Sequence, residues 1–251
     1  MTHPYRSVCN AGVDDKSTPA RQKILRSAFA HIRLHGFQAA SVADILADTG
    51  LTKGALYHHF PTKLVLGLAV MDEVIRAEFE TSFILPLRGD GKNTPVILNT
   101  LKNWVEGADS GGIRLGCPLN NLLIEMSQLD GEFRERITAI LGDFTASVEQ
   151  ALVRAKKSGE IKNSTDCRAV ALFIVSSWLG AGGIAKAIGS KQPLLNCLGQ
   201  LEIFISSLKS DDVARRPPVV IPARTNAAEE KKEDEEDLTP EKRPSVRMDE
   251  D

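Results

Sequence analysis

A chain of 251 residues, 42% apolar and 25% charged, has the composition of a soluble globular protein with material for one or two buried cores. Its four cysteines (Cys9, Cys117, Cys167 and Cys197) lie without CxxC spacing, and no apolar signal segment opens the chain. This excludes a zinc-finger or disulfide framework and leads us to expect reduced thiols in a cytoplasm. The net charge of −2 hides a split: residues 18–64 carry six Lys/Arg against two acids, whereas residues 211–251 carry thirteen acids against eight bases. The pI of the whole chain therefore says nothing about its partners.

Residues 1–17 show no helical or strand period and read as a flexible N-terminal arm. Thr18-Pro19 is a helix start, with Thr as N-cap and Pro where a missing N–H costs nothing. Leu25, Ala28, Phe29 and Ile32 share a face, and Gly36 stops the helix after His35. Ser41 and Asp44 resemble a capping box that opens a second helix, with Val42, Ile45 and Leu46 inward. Thr49, Gly50 and Leu51 form a tight turn, and Thr52 caps a third helix that ends near His59. Pro61-Thr62 then restarts the chain as a long helix to about Leu85, with Leu64, Leu68, Met71, Val74, Ile75 and Phe79 at helical spacing. Further helices are expected at about 93–108, 118–127, 130–157, 164–189 and 193–209. No stretch sustains period-2 alternation, so the fold class is all-α. Residues 211–251 are rich in Pro and then in charge, with too few apolar side chains to offset chain entropy, and are expected to be disordered.

Residues 169–185 contain no formal charge and approach the lower length limit for a membrane span. Ser176, Ser177, Gly180, Gly182 and Gly183 favour a buried helix in close contact with others, and no membrane partner is expected. In the next helix Leu194, Leu198, Leu201, Ile205 and Leu208 repeat like a bundle seam. Two successive helices this apolar, near 164–189 and 193–209, point to a homodimer interface.

Helix, glycine-containing turn and helix is the arrangement in which the second helix enters a DNA major groove. In "LTKGALYHHFPTK", residues 51–63, Leu51, Leu56 and Phe60 anchor that helix on Phe29, Phe37, Val42 and Ile45. Thr52, Lys53, Tyr57 and His58 are left facing outward. Gly54 permits close backbone approach, and Lys63 is placed to neutralise a phosphate. Individually these residues have plainer readings. Tyr57 fits a mini-core and Lys53 a solvated surface, while adjacent His58 and His59 diverge by about 100° and do not share a metal. His31 and His35 have the i, i+4 spacing of zinc ligands, but His35 also suits a helix C-terminal dipole. No metal or cofactor is expected.

The phrases "GF", "SVADI", "GLTKGALYHHF" and "TKL" resemble, in order and spacing, the N-terminal domain of the TetR/AcrR family of bacterial regulators, over residues 18–70. The resemblance implies a homodimer whose heads read a near-palindromic double-stranded DNA operator, and a helical body whose small-molecule effector repositions them. It further implies that Ser41, Thr52, Lys53, Gly54, Tyr57, His58, His59 and Lys63 form the DNA-contacting surface; Pro61 departs from the commoner polar or basic residue. On this reading 18–64 is the helix-turn-helix domain and 65–210 the effector-binding and dimerisation domain.

Within the body, Cys117 before Pro118 reads as a helix N-cap. A helix N-terminus favours its thiolate by about 0.3 to 1 kcal/mol, and burial opposes that. Some TetR-type regulators responsive to electrophiles or oxidants resemble this region, with a glycine-cysteine here and "WLGA" later, at residues 178–181. Two readings of Cys117 stay open: a modifiable thiol at the effector site and a small buried cap. Trp104, Cys117, Leu119, Leu122, Met126, Phe144, Phe173 and Trp178 are the candidate effector walls. An enzyme is disfavoured: all five histidines precede residue 60, Glu125, Asp130 and Glu132 lack acid–base spacing, and no nucleotide-loop or HExxH motif is present. A scaffold that uses the tail to bind basic partners is the remaining alternative. These features together point to a transcriptional regulator, most simply a repressor released by its effector.

Overall fold

Hydroxyl and carboxyl side chains write the helix starts of this chain. In the computed structural model, which describes residues 18–89 and 93–209, Thr18, Ser41, Thr52, Thr62, Asp109, Asp130 and Asp166 each accept a backbone N–H from the first turn that follows. Such a cap contributes about 1 kcal/mol. The expected arm (1–17) and tail (211–251) lie outside the described residues.

Three short helices form the head: α1 (Pro19–His35), α2 (Val42–Thr49) and α3 (Lys53–His59). Ile24, Leu25, Ala28, Ile32, Ala40, Ile45, Leu56 and Phe60 close its core. Gly50, at φ +64°, ends α2 by returning its N–H to the Leu46 carbonyl. Phe29, Val42 and Leu51 pack at the edge of this core as expected. Phe37 does not remain in the head. Its ring lies 4.8 Å from that of Phe133, in the body, and it fills the space a side chain at Gly67 would need.

The long helix α4 runs through residues 63–88, three beyond the expected end. It contains two wide π turns, Met71–Ile75 and Glu80–Ile84, and finishes in a 3-10 turn. Its buried residues Met71, Ile75, Phe79, Phe83 and Leu87 recur every four positions. On a regular α-helix each such step drifts by about 40°. Two wide turns absorb that drift and keep the row facing inward, a device often found near functional sites.

The body continues with α5 (Asn93–Gly107), α6 (Ser110–Leu115), α7 (Pro118–Met126), α8 (Gly131–Lys157), α9 (Cys167–Ile188) and α10 (Gln192–Ser207). Helix α6, a six-residue helix just before the cysteine, is additional to the helices expected from periodicity. The α9 start falls at Cys167 rather than near 164 because the Asp166 carboxylate accepts from the Arg168 and Ala169 amides. At α5 the Glu160 carboxylate accepts from both the Asn93 and Thr94 amides, a cap supplied from a distant part of the chain. Helix α8 lies along the centre, burying Phe133, Ile137, Ile140, Phe144, Val148, Ala151 and Leu152 among its neighbours. Among the described residues the β content is one isolated bridge, Ile161 to Lys209.

By length and composition Cys167–Ile188 is apolar enough to cross a membrane. Its faces differ, however. Ala171, Ile174, Val175, Trp178, Ala181 and Ala185 are buried within the chain, whereas Leu172, Phe173, Ile184 and Ile188 are exposed. On α10 the expected seam also turns inward: Leu194, Leu201 and Ile205 are buried, and the exposed apolar residues are Leu195 and Ile203.

Candidate nucleic-acid interface

Leu56 and Phe60 are almost wholly buried, and they fix the rotation of α3 about its axis. Thr52, Lys53, Gly54, Tyr57 and His58 consequently face solvent together, with His59 partly covered. Tyr57 is 39% exposed and so is not a mini-core residue. The Lys53 ammonium lies 5.9 Å from the centre of the Tyr57 ring, an i, i+4 pair that holds both on one face. The Thr52 Oγ1 accepts from the Ala55 amide, and the Ser41 Oγ accepts from Ala43 and Asp44. Each hydroxyl therefore caps its helix and keeps its own hydrogen to donate outward. His58 and His59 stand edge to face, 5.2 Å apart, and the His59 Nε2 lies 3.4 Å from the Thr18 hydroxyl.

Lys63 is more constrained than expected. Its ammonium donates to the Gln38 carbonyl at 2.8 Å and sits 5.0 Å from the Phe37 ring centre. One of its three N–H groups is thus used inside the protein, leaving two for a phosphate. His31 is engaged by Asp48, with its Nε2 2.7 Å from the carboxylate, so α1 and α2 are tied through it. Arg21 forms a two-pronged pair with Glu73 at 2.6 and 2.5 Å while stacking over Phe60, which fixes α1 on α4.

In the body the rings of Trp104 and Trp178 meet at 5.8 Å, nearly perpendicular, and Phe83 joins Trp104 to Phe144 at 6.1 and 5.2 Å. Phe83 is the residue that brings these candidates together, and its only signal in the sequence is its place four after Phe79. Leu119, Leu122 and Met126 are buried on α7 in the same core. Phe173 does not belong to this interior. Five residues before Trp178, it points about 140° away around the helix, is 49% exposed and meets the Phe204 ring edge to face at 4.9 Å. Three grooves on the described surface, beside Leu98, Asp143 and Lys157, are lined by none of the candidate effector residues.

Cys117 occupies the predicted N-cap of α7, but its thiol is not activated. Burial pushes its pKa up to about 11, outweighing the amides of Asn120 and Leu119 that favour the thiolate. Its charged neighbours are Glu78, which opposes ionisation, and Arg33, which favours it. Both are buried. Burial also raises the Glu78 pKa, only partly offset by Arg33. Below its ordinary carboxylate range Glu78 is protonated in both folded and unfolded chains. As pH rises through the unfolded pKa of about 4.3, only the unfolded chain releases the proton, so folding weakens until the raised folded pKa is passed. Glu78→Gln should therefore raise the thermal midpoint at neutral pH and leave it nearly unchanged at about pH 4. A gain equal at both pH values would show that Glu78 ionisation is not the cause.

Two regions of the chain match family models: residues 24–70 match that of the bacterial regulatory proteins of the tetR family, and residues 94–198 that of the tetracyclin repressor-like C-terminal domain. Together they span more than half of the chain, including the helices whose geometry is described above. The chain belongs to the TetR/AcrR family. Similar relatives of this TetR-family regulator include the transcriptional regulator AcuR of Cereibacter sphaeroides, 29% identical over 177 residues, covering 68% of this chain and 77% of that one. The transcriptional repressor DhaR of a Mycobacterium species is 24% identical over 184 residues, covering 70% and 87%. Among solved structures, regulatory protein TetR from Rhodobacter sphaeroides aligns with a TM-score of 0.65 and 26% identity over 73% of this chain and 99% of its own. The reduced form of NemR from Escherichia coli shares the fold, with a TM-score of 0.65 and 23% identity over 73% and 96%. The TetR family and these relatives are transcriptional regulators rather than enzymes.

Proposed function

We propose that this TetR-family regulator is a cytoplasmic homodimeric repressor that binds a near-palindromic operator and is released when a small-molecule or electrophile effector engages its body. The observation that carries the reading is the row Thr52, Lys53, Tyr57 and His58, projected from a helix that Leu56 and Phe60 hold rigidly. Donors and an aromatic edge on a short, fixed helix suit direct readout of base edges, with Ser41, His59 and Lys63 at the flanking phosphates. The repressor sense is supported by the names of DhaR and NemR.

Dimerisation is assigned to α9 and α10, where Leu172, Phe173, Ile184, Ile188, Leu195 and Ile203 leave an apolar face uncovered. A second copy related by twofold symmetry would bury this face and set the two heads side by side. Domain limits follow: residues 18–64 read DNA, and residues 65–210 dimerise and bind the effector. The effector site is assigned to the aromatic interior of Trp104, Phe144 and Trp178, with Cys117, Leu122 and Met126 on α7. A ligand enters by separating the packed rings. The burial that pushes the Cys117 pKa up to about 11 disfavours its thiolate, so reaction with an electrophile calls for a change in that environment. Mass spectrometry after mild quinone treatment separates the two readings of this residue. Modification of Cys117 supports sensing, whereas modification of Cys9 alone leaves Cys117 a structural cap.

Selection of bound duplexes from a random pool by the full chain tests the DNA reading. An enriched inverted repeat is expected, and absence of enrichment would overturn it.

A further inference from the structure

The last turn of α3 carries two histidines side by side on the surface assigned to DNA. His58 is exposed and makes no hydrogen bond or ion pair among the described residues. His59 is partly covered. Its ring meets that of His58 edge to face at 5.2 Å, and its Nε2 lies 3.4 Å from Thr18 Oγ1, which already accepts the Arg21 amide. The charged and titratable neighbours are mostly basic: Lys53 and Tyr57 lie on α3 itself, Arg21 reaches over Phe60 from α1, and Lys63 opens α4. The nearby carboxylates are placed elsewhere. Asp48 of α2 holds His31, Glu73 of α4 holds Arg21, and Asp44 lies in the first turn of α2. Among the described residues, then, no carboxylate pairs with either ring.

We propose that operator binding is proton-linked through His58 and His59: the two imidazoles take up protons as the recognition helix docks, so operator affinity falls as pH rises. The inference rests on the DNA-binding reading above. Histidine changes charge between about pH 5 and about pH 8, and a protonated imidazole has two N–H donors where the neutral ring has one. Docking surrounds the last turn of α3 with phosphate oxygens and the acceptors on base edges. An opposite charge at close range favours the charged ring, and the free head supplies none. The sign follows from which state holds more protons. At low pH both rings are charged in free and bound protein, and the phosphate attraction is fully present. As pH rises the free protein loses its protons first, each must be regained on binding, and affinity declines until the bound rings are neutral too. Thr18 gives His59 a fixed seat in both forms, because its hydroxyl can donate to an unprotonated Nε2 or accept from a protonated one. The proton thereby acts as a second ligand of the regulator, read at the DNA surface and independent of the effector site in the body.

The test titrates the full chain with an operator selected by the wild type, across this pH range at constant salt, with circular dichroism confirming the fold at each pH. If DNA favours the charged form by about tenfold at each ring, wild type should bind at least about tenfold more tightly at about pH 6 than at about pH 8. His58→Gln combined with His59→Gln leaves neutral donors at both positions and should reduce that ratio to less than about twofold. His58→Gln alone, at the exposed ring, should lower the ratio by at least about half and serves if the double variant fails to fold. A wild-type affinity that stays level across the range, or a ratio that the folded variants leave unchanged even at uniformly reduced affinity, would overturn the proton linkage. If wild type selects no operator at any pH in the range, it is the DNA-binding reading that fails.

Discussion

Lys53→Ala combined with Tyr57→Ala is expected to abolish sequence-specific duplex binding while leaving the helical fold intact. Both side chains project from α3 into solvent, and neither belongs to the head core, which Leu56 and Phe60 close without them. Truncation should therefore leave folding nearly unchanged, as for most surface substitutions. At the DNA the effect is large: each base-edge contact contributes about 1 to 3 kcal/mol of discrimination, so losing two reduces specific affinity by roughly 30-fold to ten-thousandfold. Salt-dependent, sequence-blind association through the remaining basic residues should persist. Competition titrations with operator and random duplex, alongside circular dichroism, measure both terms. Equal losses on both duplexes would assign Lys53 and Tyr57 to the backbone rather than to the bases.

Charging the exposed face of α9 should have a comparable effect without touching the DNA surface. Phe173→Asp with Ile184→Asp places two carboxylates where the single chain is open to solvent, so each protomer tolerates them. In a dimer they would be desolvated against apolar side chains, at a cost of several kcal/mol. The variant should sediment as a monomer and lose at least about 100-fold in operator affinity, because two linked heads gain from effective concentration and one head does not. Retention of a wild-type dimer would move the interface elsewhere.

The head was legible because its signals are local. Thr18, Ser41 and Thr52 announce helix starts by side-chain chemistry, and the spacing of Leu56 and Phe60 fixes which side of α3 is free. Properties set by tertiary contact were not legible. Phe37 looks like a head-core residue by position and is drawn into the body by Phe133. Glu125 carries no spacing that marks it, because its partners are backbone amides 88 and 87 positions away. Periodicity identified α9 and α10 as apolar but not which apolar row of α9 faces inward, so Phe173, expected at the effector wall, lies on the exposed face instead. The direction of the Cys117 shift was a balance of two named effects, and only the packing around the sulfur decides that burial wins.

The most direct measurement of the central claim is the stoichiometry and footprint of the full chain on a selected duplex. The account predicts two chains per duplex, protecting two symmetry-related major-groove segments about one helical turn, or a small multiple of it, apart. One chain per duplex, or a single asymmetric protected segment, would contradict it.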